Sequence, residues 1–255
     1  MSHPEKKPPP FFRIRDLRQT LGGHPVLRGV SFDVTGGETT VILGGSGAGK
    51  SVLLKHLNGL MRPLSGSVAV NGTDISMLPE RALTPIRRQI GVLFQDGALF
   101  DSLSVGENIA FPLREAGERV ESRIRDRVDE VLELVGLKGQ HRKMPDTLSG
   151  GMRKRVSLAR AIAGRPDCML YDEPTAGLDP ILSESITKLI GEMKKELRLT
   201  SVVVTHNLGA MRFLADQVIF LKNGEVHYCG PPAGLDASDD PAIREFISAD
   251  AMGRT

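Results

Sequence analysis

Apolar and polar positions change their rhythm several times along this chain, and each change predicts a different element. From Phe11 the pattern is that of short strands: FFRIRDL, then VLRGVSFDV, then TTVIL, with Gly22-Gly23 and Gly36-Gly37 as the turns between them. Ser67 to Val70 continues this β-rich layer and closes on Asn71-Gly72, the dipeptide of a type I′ hairpin. Ile90 to Phe94 reads as a further strand running into Gln95. The period then lengthens. From Ser104 to Leu137 the reading is helical, with Ile124, Val128, Val131 and Val135 on one stripe and Gly136 placed to end it. A second helical stripe, Met152, Val156, Ala159 and Ala163, follows Leu148-Ser149-Gly150-Gly151, with Ser149 available as its cap. Cys168 to Tyr171 and Ser201 to Thr205 are buried strands on either side of a helix from Ile186 to Leu197. Gln217 to Lys222, Asn223-Gly224 and Glu225 to Tyr228 form a hairpin, and Pro241 to Ser248 a terminal helix. Strands alternating with helices predict an α/β fold with a parallel sheet, whose functional groups gather at the carboxyl ends of the strands.

The strand TTVIL ends in Gly44, Gly45, Ser46, Gly47, Ala48, Gly49, Lys50 and Ser51 and opens into an apolar helix at Val52. These residues fit G-x-x-x-x-G-K-[ST] position by position, in the strand-loop-helix context that a phosphate-binding loop needs. Backbone N–H groups turned inward at a helix N-terminus cradle a polyphosphate; Lys50 would reach the β- and γ-phosphates, and the Ser51 hydroxyl would hold Mg²⁺. An ordinary flexible turn would need neither the strand before it nor the helix after it. Downstream, Asp172 closes an apolar strand, placed to reach Mg²⁺ through water, and Glu173 points elsewhere, toward a nucleophile. Taken alone, that acidic pair is also what a helix cap and a solvated neighbour look like, and His206 after its strand is also what a structural cap looks like.

Composition narrows the picture modestly. The 33 basic and 31 acidic side chains leave a net charge of +2, so no strong field marks a nucleic-acid binder. Cys168 and Cys229 lie far apart without metal-ligand spacing, which fits a reducing compartment. No apolar run reaches the ~18 residues that span a bilayer. The charged, proline-rich residues 1–10 read as a disordered tail.

Taken in order, the phosphate loop, Gln95, Leu148-Ser149-Gly150-Gly151, Asp172-Glu173, the turn Ala176-Gly177-Leu178-Asp179 and His206 resemble the nucleotide-binding subunits of ABC transporters. The resemblance covers roughly residues 11–230. It implies a P-loop NTPase with a RecA-like core, an N-terminal antiparallel β layer and a helical subdomain. The implied single domain is 11–255, with core 11–97 and 152–230, helical subdomain about 98–151 and a short extension 231–255. The implied activity is hydrolysis of ATP with Mg²⁺, the metal being held by Ser51, Gln95 and Asp172. Catalysis would fall to Glu173, His206, Gln95 and Lys50. Ser149, Gly150, Gly151 and Met152 would complete the site of a second subunit in a homodimer, with Asp179 in the interface turn. A permease would dock near Gln95 and Ala98 to Glu107, placing the chain peripherally on the cytoplasmic face of the inner membrane.

A narrower resemblance lies in FQDGALFDSLSVGENIAFPLRE and MPDTLSGGM, which are similar to the ATPases of Mla/Mce-type lipid transport systems. It implies a phospholipid or other hydrophobic cargo, with a small regulatory subunit and a Mce-type lipid-binding protein as further partners and no nucleic acid. An importer ATPase for a small polar solute and a non-transport ABC ATPase are the alternatives; the latter predicts tandem cassettes or a long coiled-coil insertion. One departure stands out. Leu21 occupies the place of the family's adenine-stacking aromatic residue, unless Phe11, Phe12 or a partner residue covers the base.

Overall fold

The computed structural model describes residues 10–95 and 97–251. The expected tail therefore lies outside the described residues except for Pro10, which begins the first strand. The chain forms two compact units, one of the described residues up to Ile86 together with those from Thr200 onward, the other Arg87–Leu199.

The first unit contains an antiparallel sheet of β1 (Pro10–Leu21), β2 (His24–Thr35), β4 (Ser65–Val70) and β5 (Thr73–Asp74), in the order β2-β1-β4-β5. Asn71 and Gly72 between the last two both have positive φ, 47° and 82°, as a type I′ turn requires. Beside it runs β3 (Thr39–Leu43), all five residues buried, between the parallel strands β8 (Thr200–Thr205) and β9 (Gln217–Lys222). β10 (Glu225–Gly230) adds antiparallel to β9. A strand covered on both faces reads as an uninterrupted apolar run, and each fully buried Val or Ile contributes ~1.5–3 kcal/mol. The two threonines that open β3 are satisfied locally: the Thr39 amide donates to Asp216 Oδ2 at 2.7 Å, and Thr40 Oγ1 donates to Gln217 Oε1 at 3.0 Å. α1 (Lys50–Leu57), α7 (Leu208–Leu214), α8 (Pro232–Asp236) and α9 (Pro241–Ala251) complete this unit. α2 (Glu80–Arg87), which carries Pro85 in its interior, lies at its boundary.

In the second unit β6 (Ile90–Leu93) pairs parallel with β7 (Cys168–Asp172). The long helical stretch expected from Ser104 to Leu137 is two helices, α3 (Val105–Glu115) and α4 (Glu121–Leu134), broken at Ala116-Gly117. α3 begins with a reciprocal capping box: the Ser104 side chain accepts from the Glu107 amide, and Glu107 accepts from the Ser104 amide at 2.8 Å. The expected stripe on α4 is buried, including Val135 at its end. α5 (Gly150–Ala163) is capped by Ser149 as anticipated. Arg127 of α4 is buried and closes α5's other end, donating to the carbonyls of Ala163 at 2.9 Å and Ile162 at 2.6 Å. α6 (Pro180–Leu197) starts earlier than its apolar stripe suggested, because Asp179 caps it with a bond from the Leu182 amide.

Candidate active site

In the first unit, β3 delivers the loop 44–49 to the N-terminus of α1. Two close approaches require glycine there. A Cβ on Gly44 would sit 2.2 Å from the Leu221 carbonyl oxygen, and one on Gly49, at φ +103°, would sit 2.9 Å from Leu27 Cδ2. The β9–β10 turn braces the loop from below, since the Gly224 amide donates to the Ala48 carbonyl at 3.2 Å. Sequence reasoning read Gly224 only as a hairpin residue; a contact across 176 positions leaves no local signal.

Gly49 gives α1 no side-chain cap, and its first turn carries no acidic residue, so the positive end of the helix dipole is left to an external anion. Lys50 is buried and its Nζ donates to the carbonyls of Gly44 at 2.8 Å and Gly45 at 3.0 Å, which holds the ammonium within the loop's curl. The Ser51 hydroxyl is one residue farther, half-buried. This donor set, amides and a cation beside a hydroxyl, fits a polyphosphate with a hard divalent ion. His206 follows β8, and the register Leu43↔Thr205 puts it and the phosphate loop at the same carboxyl end of neighbouring parallel strands. It is Asn207, not His206, that caps α7.

Leu21 stands exposed at the tip of the β1–β2 hairpin, paired with His24. Phe11 and Phe12 are buried edge-to-face at 4.9 Å, so neither ring is available to cover a base.

The second unit gathers the other expected residues. The register Leu93↔Tyr171 brings Gln95 and Asp172-Glu173 to one end of the β6–β7 pair. Cys168 to Tyr171 are buried and Asp172 is half-buried; burial holds the Cys168 thiol protonated, its pKa pushed up, as befits a core residue. Glu173 has φ +45°, a left-handed conformation that is uncommon for a non-glycine residue. At the start of α5, Ser149 is exposed and its Oγ accepts from the Met152 amide at 3.3 Å; the first turn again lacks an acid. Gly151 lies against Leu182, 3.1 Å from where its Cβ would be, so the signature segment Leu148-Ser149-Gly150-Gly151 packs on the turn that Asp179 closes. Within that turn Ile181 is 80% exposed.

A family model described as "ABC transporter" matches residues 27–176. The chain belongs to the ABC transporter family. It is thus an ATP-hydrolysing cassette that uses ATP with Mg²⁺. The ABC chain is 43% identical over 240 residues to the "probable ribonucleotide transport ATP-binding protein mkl" of Mycobacterium leprae (strain TN), covering 94% of this chain and 69% of that protein. It is 42% identical over 230 residues to the "methionine import ATP-binding protein MetN" of Brucella abortus (strain 2308), covering 89% of this chain and 62% of the relative. Among solved structures, cbiO1 from Clostridium perfringens, part of an ABC transporter complex, matches with a TM-score of 0.83 at 32% identity, covering 96% of this chain and 97% of that one. The ATP-binding cassette MJ0796, solved as a dimer bound to ADP and Pi, matches with a TM-score of 0.79 at 33% identity, over 87% of this chain and 98% of that one. Among the described residues of this ABC ATPase no helix is long and apolar enough to cross a membrane.

Proposed function

We propose that this chain is the energy-coupling ATPase subunit of an ABC transporter that moves phospholipid or another hydrophobic cargo across or between membranes, in the manner of Mla/Mce-type systems. The cassette works as a homodimer on the cytoplasmic face of the inner membrane, docked to a permease, with residues 98–151 as its helical subdomain. In this reading the loop from Gly44 to Val52 and Lys50 hold the phosphates, and Leu21 packs on the adenine. Ser51, Asp172 and Gln95 would hold Mg²⁺, which when bound would supply neutralisation of the phosphate charge. Glu173 orients and polarises the attacking water, and His206 steadies it against the γ-phosphate. Ser149 to Met152 reach the nucleotide of the facing subunit, and the turn at Asp179 lies in that interface. A helix N-terminus offered in trans attracts the γ-phosphate, so ATP joins the two subunits and its hydrolysis releases them.

The observation that carries the cargo reading is the segment from Phe94 to Glu115. Its sequence resembles that of the lipid-transport branch, and it leaves Phe94, Phe100 and Phe111 exposed, with the last two rings 4.9 Å apart. Exposed aromatic rings beside a docking segment suit an apolar partner. A polar-solute importer is the second reading, favoured by the resemblance to a protein named for methionine import. Purification of the native complex from membranes, with identification of the integral subunit and mass spectrometry of extracted lipid, separates the two. Bound phospholipid is the expected result; a lipid-free complex whose ATPase responds to methionine or a ribonucleotide overturns the cargo assignment.

A further inference from the structure

α9 lies beside the phosphate loop, and what holds it there leaves a space between the two. Asp240 starts the helix, accepting from the Ala242 amide at 2.7 Å, and His227 Nδ1 of β10 stands 3.1 Å from its other carboxylate oxygen. Lys222 at the end of β9 pairs with Glu245 at 2.7 Å, and the buried Phe246 meets the Phe220 ring edge-on at 5.3 Å. Residues 242, 245, 246 and 249 recur at i, i+3, i+4 and i+7, so they share one face of α9. Ala242 and Ala249 are the short members of that face, and they hold its surface back from the loop. The result is a cavity of about 300 Å³, lined by the ring pair and the two alanines together with Gly45 to Ala48. The Lys222–Glu245 pair and Asn223 are its polar groups. A Cβ on Gly45 or Gly47 would meet no atom within 4 Å, whereas Gly44 and Gly49 have no room for one. The loop is therefore braced at 44, 48 and 49 and unbraced at 45 and 47.

We propose that this cavity is a regulatory site for a small, flat, neutral aromatic molecule of one or two rings that carries an N–H or O–H donor. Its volume lies at the low end of the range for ligand pockets, which sets the size. Phe220 and Phe246, inclined at 61° to each other, offer a face and an edge to a third ring. The bond to Lys222 engages Glu245 Oε2, so Oε1 of the same carboxylate is the acceptor for the ligand's donor. A neutral ligand leaves that ion pair in place, whereas a charged one would lose its hydration beside the alanines and rings. The consequence for ATP rests on the reading above, in which the loop from Gly44 holds the phosphates. A ring seated here packs against Gly45 to Ala48 and orders the loop before the nucleotide arrives, which tightens ATP binding. By linkage ATP tightens the aromatic molecule by the same factor.

Indole is the probe, and because the chain contains no tryptophan its fluorescence is read against no indole signal from the protein. Titrated with the full chain, indole is expected to bind saturably, and a non-hydrolysable ATP analogue with Mg²⁺ to tighten that binding by about fivefold. Calorimetric titration of the analogue, with and without indole, should return the same factor. Ala249→Leu puts a side chain into the cavity and should abolish indole binding; Ala242→Leu does the same from the other end and serves if the first variant does not fold. Ser248→Leu, on an exposed position of the same helix outside the cavity, should leave it unchanged. No saturable binding, or binding undiminished in both alanine variants, overturns the site. Mutual exclusion of indole and nucleotide overturns it too, since indole would then occupy the place of the base. Binding that the nucleotide leaves unaltered overturns the coupling to the loop. Lys50→Ala tests the underlying reading separately: unchanged nucleotide affinity in that chain overturns the phosphate assignment, while the seat of indole is still decided by Ala249→Leu.

Discussion

The strut beneath the phosphate loop yields a prediction whose size follows from geometry. Gly224 sits at φ +78°, and a Cβ there would lie 2.3 Å from the Val26 carbonyl oxygen and 2.9 Å from its carbon, both backbone atoms that cannot swing aside. Its amide supports Ala48, and its carbonyl accepts from the Arg28 amide at 2.9 Å. Gly224→Ala therefore incurs left-handed strain and also pushes the turn away, losing one or both bonds, for about 2–4 kcal/mol in total. For a chain of this size that lowers the melting temperature by about 5–15 °C. Gly72 is the control, because it has φ +82° in a turn of the same kind with nothing within 4 Å of a Cβ. Gly72→Ala incurs the strain alone, about 1–2 kcal/mol. Thermal melts read the stability difference and nucleotide titrations read the site. ATP affinity should fall about fivefold or more in Gly224→Ala, by the loss of one loop-bracing bond, and stay unchanged in Gly72→Ala. Equal melting temperatures, or ATP affinity untouched by Gly224→Ala, would refute the claim that this turn shapes the loop.

Glu173→Gln should bind ATP and accumulate as a dimer while steady hydrolysis is abolished, because the amide keeps the shape but neither accepts a proton nor polarises water; phosphate release near the wild-type rate rejects its catalytic role. Lys50→Ala and Ser149→Arg chains should each be inactive as homodimers, yet when mixed leave one of two composite sites intact, so that hydrolysis reappears; silence in the mixture counts against a shared site. Leu21→Tyr should tighten ATP binding by up to about tenfold, an aromatic pair adding ~0.5–1.5 kcal/mol beyond burial, and unchanged affinity with strong discrimination against GTP would place the adenine elsewhere. His56 is buried, and burial pulls its pKa below the usual 6.5 despite its bond to the Val52 carbonyl. Its folded form binds its proton less readily than the unfolded chain does, so stability is complete above about pH 6.5 and erodes as pH falls below it; melts from pH 7.5 to 5 should be less steep for His56→Gln, and parallel curves would contradict this.

What could be read in advance were the features with local causes. The phosphate loop, the Asn71-Gly72 turn, the Ser149 cap and the stripe of α4 each depend on residues within a few positions of one another. Elements that broke a local rule went unread. α2 holds Pro85 in its interior, and the polar residues around it carry no long apolar period. α7 is only seven residues long, too short to repeat a stripe. The break between α3 and α4 depends on Gly117 at φ +101°, and one glycine in a helical pattern is a weak stop. The side chains that hold the site, Lys154 and Arg160 against the Gln95 loop and Asn108 beneath it, look in sequence like ordinary polar helix residues. Only the third dimension shows which carbonyls they serve.

Glu173 carries a consequence for how such a protein changes over generations. Its left-handed backbone, φ +45°, costs about 1–2 kcal/mol relative to a glycine at the same place. If Glu173 polarises the attacking water as proposed, position 173 sets two selective pressures against each other: substitutions that relax the turn would make the fold hardier and leave an ATP-binding chain that turns over no nucleotide. Lineages kept only for heat tolerance would drift toward such silent binders, and the strained glutamate persists only where transport work is under continuous selection.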